Sequence, residues 1–297
     1  MPDTKLNIAT LVAKMPEVDR QKPNEEPKPG QQGKFTAPDP EEADKIFAEI
    51  LGGGRAHLQE LLRLLRAPGD PEFQDYKAGY VIHGVVVMAG RPGREDGRRL
   101  VATVLAEELV SDRPSKLAKA FLIQELQTCG AVEAVPALVK QLEDPDLCEP
   151  AVRALLSLRA GGFDSLRTVL GNGKAGNRLA VLQALGVARE AEAAPLLKEA
   201  LSDPSPQLRQ TAAWGLANLG EASAVGAILK WADISVDWER IQANKTCVLL
   251  AERLLATDHK LEAVRIYSHV RDTRVERSER HIRATAERAL DLLKTSG

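Results

Sequence analysis

The sequence predicts an all-α solenoid, a stack of antiparallel helix pairs. Three observations carry this. A pattern recurs about every 30 residues through the middle of the chain. Apolar residues make up 44% but aromatics only 4%, so Ala, Leu and Val must fill the core, which suits close helix packing better than a β-sandwich. No stretch alternates apolar and polar residues between turn signals, so no strand is expected. At 297 residues the chain is long for one compact core and natural for a stacked array.

Residues 1–40 stand apart. Pro16, Pro23, Pro27, Pro29, Pro38 and Pro40 lie among charges with few apolar residues. Such a stretch buries too little surface to offset its chain entropy, so a disordered, Pro-rich tail is expected. Leu6, Ile8, Leu11 and Val12 have the spacing of a short amphipathic turn, and a free tail is preferred over a docking peptide.

Helical signals then continue to the end, and residues 41–297 are read as the solenoid. Residues 41–113 form divergent N-terminal helices. Asp39-Pro40-Glu41-Glu42 is a helix start, with Asp as N-cap, Pro in the first turn and acids near the positive end of the dipole. Ile46, Phe47, Ile50 and Leu51 follow at helical spacing, and Gly52-Gly53-Gly54 stops the helix. Leu58, Leu61, Leu62 and Leu65 line the next one. Val85-Val86-Val87 is β-branched, but Tyr80 to Met88 fits a buried helix among helical neighbours.

Residues 114–235 hold the regular repeats. Residues 133–145 and 192–204 share seven of thirteen positions, among them Pro136 and Pro195 and the corners Asp144-Pro145 and Asp203-Pro204. A third copy includes Val225, Ile228 and Ala232, and a weaker one includes Leu166 and Leu170. A second helix repeats in step, with Glu125-Leu126, Ala154-Leu155, Ala184-Leu185 and Gly215-Leu216 in equivalent slots. Residues 236–297 form a helical cap. Leu250 to Tyr267 looks like a tetratricopeptide-type hairpin, and a last helix spans about 276–293. The arginines from Arg271 to Arg288 alternate with acids at helical spacing, which predicts mainly a surface ion-pair lattice.

Ala212-Ala213-Trp214-Gly215-Leu216-Ala217-Asn218-Leu219-Gly220 with Ala224-Val225 resembles the HEAT-like repeat of the phycobilisome-lyase type, clear over about 114–235. The resemblance implies a HEAT-like or armadillo-type superhelix. It implies little about function, because such repeats serve unrelated partners.

A hairpin of 30 residues cannot bury its own apolar stripe, so the array extends and curves, presenting a continuous inner surface to a partner chain. The helices carrying Leu138 and Leu142, Leu166 and Leu170, Leu197 and Leu201, and Ile228 and Ala232 are read as the inner ones. Their variable slots give Lys140, Arg167, Lys198, Glu199 and Lys230 as partner-binding candidates. Trp214 joins them because other repeats hold Gln124, Arg153 and Gln183 in its slot, and Trp231 because its slot otherwise holds Gln, Val and Ala. Tryptophan is the residue most enriched at interface hot spots.

The expected function is a non-catalytic scaffold or adaptor that binds a protein partner on its concave face. His57, His83, His259, His269 and His281 are none of them followed by Glu, and HExxH, GxSxG and GxxxxGK[ST] are absent. No catalytic residue, cofactor or metal site is expected. Cys129, Cys148 and Cys247 lack zinc or disulfide spacing and are read as small buried hydrophobes in a reducing compartment. A net charge of −2 disfavours nucleic acid. With no long apolar run and no basic, apolar leader after Met1-Pro2-Asp3, a cytoplasmic monomer without a membrane span is expected. Two other readings stay open. One is an accessory subunit of a lyase-type protein-modifying system. The other is a DNA-binding HEAT-like solenoid of the alkylpurine-glycosylase kind, invited by Trp231, Asp233 and Trp238.

Overall fold

The computed structural model describes residues 7–15, 39–65, 75–158 and 162–295. Every regular element among them is helical. The chain divides into two compact units, residues 1–141 with 153–161, and residues 142–152 with 162–297.

The first unit holds α1 (Ile8–Ala13), α2 (Pro40–Gly52), α3 (Gly54–Leu62), α4 (Asp75–Ala89), α5 (Glu95–Leu109), α6 (Lys116–Cys129) and α7 (Val135–Val139). The unit boundary falls inside α8 (Cys148–Leu158). The start of α2 follows its sequence signal: Asp39 Oδ1 accepts the Glu41 N–H at 2.9 Å, and Pro40 occupies the first position. Gly53 caps α2, and Gly54, at φ +64°, reverses the chain into α3.

One expectation fails here. Residues 7–15 are not a free tail, because Ile8, Leu11, Val12 and Met15 are buried and α1 packs on α3 and α4. Asn7 Oδ1 caps it, and Lys77 Nζ donates to the Ala13 carbonyl at 3.3 Å. The remainder of the proposed tail, residues 1–6 and 16–38, lies outside the described residues.

The second unit holds α9 (Phe163–Gly171), α10 (Arg178–Ala188), α11 (Ala194–Ala200), α12 (Pro206–Leu219), α13 (Val225–Ile234), α14 (Asp237–Ala256), α15 (Lys260–Thr273) and α16 (Arg280–Thr295). A 3-10 turn precedes each of α11 and α13, at Ala191–Ala193 and Ala222–Ala224. Each repeat is thus a long helix, a tight turn and a short helix. The chain leaves α12 through Gly220, at φ +71°, and leaves α10 through Arg189, forced to φ 55°. At the corner before α12, Asp203 Oδ1 accepts the Ser205 N–H at 2.9 Å while Arg178 donates to its other oxygen, also at 2.9 Å.

The core of this unit lies between the rows. Leu166, Leu197 and Ile228 of the short helices meet Leu185, Leu216 and Leu250 of the long ones, all nearly inaccessible to water. The long helices α10, α12 and α14 pack closely along their lengths, whereas the short helices touch one another little. Gly186 and Gly215 allow this. A Cβ on Gly186 would come within 2.8 Å of Gly215 Cα and 3.1 Å of the Trp214 ring. Gly186→Val is therefore expected to destabilise the unit by about 1–3 kcal/mol through overpacking. Chemical denaturation checks this, and an unchanged unfolding midpoint would contradict it.

Candidate functional site

Close packing in one row and loose packing in the other bends a two-layer stack toward the close row. In this unit the inner face therefore belongs to α10, α12 and α14, not to the short helices read as inner from the sequence. The open face of those three helices holds a groove of about 460 Å³. Helix α10 contributes Leu179 and Gln183, four residues apart. Helix α12 contributes Gln210, Thr211 and Trp214. Helix α14 contributes Gln242, Lys245, Thr246 and Leu249. Helical spacing of three and four puts each set on one face.

Trp214 is half-buried. Its ring lies over Gly186 of the neighbouring helix, where any side chain would displace it. Asn218, one turn further, donates to the Gly186 carbonyl at 2.8 Å and fixes the helix pair beside the groove. Among the described residues no carboxylate lines the groove, and the exposed Lys245 has no ion pair.

The other sequence candidates lie elsewhere. Arg167 on α9 is held by Asp164, Glu190 and Glu192. Lys198 on α11 pairs with Glu221 and bonds Ser223. Glu199 on α11, Lys230 on α13 and Lys140 after α7 are exposed, and none lines the groove. Trp231 is a correction: it is 2% exposed, and its indole N–H donates to Glu239 Oε1 at 2.8 Å. It faces the core and is closed to a partner. Of the seven candidates, the groove includes only Trp214, joined by Gln183, Gln210 and Gln242, which sequence reasoning did not select.

Buried charge holds the repeats beside the groove together. Glu239 at the start of α14 receives Arg209 of α12 through both its oxygens, at 2.9 and 2.7 Å, as well as the Trp231 indole. The Arg209 hydrogen bonds hold the Glu239 carboxyl below its ordinary value of 4.5, with the Trp231 bond adding to the effect. A depressed carboxylate pKa stabilises the fold above the unfolded value and loses that contribution as pH falls through the folded one. Wild type is therefore expected to lose stability on acidification below about 4.5, and Glu239→Gln to lose less over the same window. Urea unfolding at pH 7 and pH 3 reads this, and parallel losses in both proteins would refute it.

The Trp231, Asp233, Trp238 set does not assemble into a site. Trp231 is buried, and Asp233 is bound by His269 and Arg274, each at 2.9 Å. Trp238 is 56% exposed and lies outside the groove lining. His83 pairs with the buried Glu125 at 3.1 Å. Among the described residues no three His, Cys, Asp or Glu side chains are grouped to hold a metal. The three cysteines are buried, and burial pushes the thiols of Cys129 and Cys247 up to about 12. Among the described residues no helix is long and apolar enough to cross a membrane.

Residues 163–246, from α9 into α14, match the HEAT repeats family. This segment is similar to HEAT repeats. The match covers the helices that form the groove and stops inside α14. Two crystal structures of engineered proteins are similar to the chain. One is 19% identical with a TM-score of 0.44, covering 87% of this chain and 76% of that one. The other is 18% identical with a TM-score of 0.28, covering 81% and 97%. No curated protein shows significant similarity to the chain. All of the groove lining except Leu249 lies within the matched residues.

Proposed function

We propose that the protein is a non-catalytic scaffold whose HEAT-repeat groove across α10, α12 and α14 binds a segment of a protein partner. The observation that carries this reading is Trp214. It stands half-buried in a groove of about 460 Å³, on a wall kept open by Gly186. Tryptophan anchors with partly desolvated rings dominate interface energetics. The HEAT repeat is a fold that commonly serves protein interaction, and this supports the reading at the level of class.

Hydroxyl-radical footprinting of the tagged chain, with and without native lysate, tests the proposal. Oxidation of Trp214, Leu179 and Leu249 is expected to fall in the lysate, while that of the exposed Trp238 and Ile234 stays the same. Protection confined to the short-helix face would overturn it.

A further inference from the structure

The chemistry lining the groove specifies the kind of segment it accepts, an inference that rests on the groove being the partner site. Gln183, Gln210 and Gln242 come one from each of three successive long helices, and among the described residues their amides have no bonding partner. Each free amide presents two donors and an acceptor.

An extended peptide backbone offers matching N–H and C=O groups along its whole length, whereas a helical ligand has already paired its own. Packed helices lie about 10 Å apart, so a chain crossing two such gaps at about 3.3 Å per residue needs roughly six to eight residues. The charge also has a sign. Lys245 faces the groove unpaired. About two turns further along α14, beside the groove lining, is Arg253, whose guanidinium reaches Asn218 Oδ1 at 3.4 Å and whose Nε is buried without a partner among the described residues. Two cations are too few for a phosphate backbone, which is bound through many. They suit carboxylates spaced along a peptide.

We propose that the groove binds an extended, acidic peptide segment. The glutamine amides bond its backbone, one of its side chains lies on Trp214, and its carboxylates face Lys245 and Arg253.

Fluorescence anisotropy with the full chain tests this, using labelled pools of twelve-residue peptides of acid-rich, neutral and base-rich composition, and a labelled twenty-residue oligothymidylate. The acid-rich pool is expected to bind about ten-fold more tightly than the base-rich pool, and Lys245→Glu with Arg253→Glu to reverse that order. N-methylating alternate peptide bonds is expected to weaken binding about ten-fold, because it removes backbone donors. Tightest binding of the base-rich pool or the oligothymidylate, indifference to N-methylation, or no binding up to about 1 mM would each overturn the proposal. Trp214→Ala separates the two inferences. If it abolishes binding of a pool other than the acid-rich one, the groove stands and the acidic, extended ligand falls. If the pool that binds is indifferent to it, the groove itself falls.

Discussion

Trp214→Ala is expected to lower partner capture at least about 30-fold while leaving the chain folded. That loss corresponds to about 2 kcal/mol, the lower bound for a tryptophan hot spot. The ring rests on Gly186 and is only half-buried, so its removal opens space toward the groove rather than a closed cavity in the core. Trp214→Phe retains a ring at the same place and is expected to keep part of the affinity. Quantitative affinity purification, normalised to folded protein, reads both variants. Equal capture by wild type and Trp214→Ala would remove the anchor from the account. Trp231→Phe is the informative contrast. It is expected to cost stability, because Glu239 loses a buried donor, and to leave the affinity of the folded fraction unchanged.

The second large effect concerns stability. Arg274, at the end of α15, is 1% exposed. Its Nε donates to Asn244 Oδ1 at 2.7 Å, and its Nη1 donates to Asp233 Oδ1 at 2.9 Å and to Thr273 Oγ1 at 2.8 Å. Glu279 lies 4.0 Å away and is itself gripped by Arg240, whose hydrogen bonds hold the Glu279 carboxyl below its ordinary range. This cluster joins α13, α14, α15 and the turn before α16. Arg274→Ala leaves Asn244 and Glu279 buried with fewer partners, and is expected to destabilise the C-terminal helices by about 3–5 kcal/mol. Arg274→Lys is expected to recover little, because an ammonium cannot reproduce the fork to Asn244 and Asp233. Repeat arrays open locally, so hydrogen exchange over α15 and α16 is the suitable measurement. Protection in α15 unchanged by Arg274→Ala would contradict the role assigned to the cluster.

Much of the architecture was legible because helical period and punctuation are local. Asp39, Gly53 and Asp203 act where the sequence places them, and Leu138, Leu166, Leu197 and Ile228 are buried as their spacing requires. Curvature was not legible from the same period. Apolar spacing says which side of a helix faces its partner row, not which row is inner. That choice follows from side-chain size, and the small residues Gly186, Ala212, Ala213, Gly215 and Ala217 on the long helices were the usable signal. Trp231 misled because its slot holds Gln, Val and Ala in other repeats, while the residue that receives its indole, Glu239, belongs to the next helix. Arg274 was read as surface because acids alternate with the arginines around it at helical spacing, and Arg277, Arg280 and Arg283 are indeed exposed. Only three-dimensional closure by Asn244 and Asp233 buries it. Helix α1 showed its amphipathic spacing, but its docking was not legible because the burial of so short a helix depends on α3 and α4.

A photo-reactive amino acid placed singly at position 242 on α14 and at position 230 on α13 asks directly which row meets a partner. The groove on the long helices requires a crosslinked species from position 242 and none from position 230. Crosslinking from position 230 alone would return the inner face to the short helices and contradict the account.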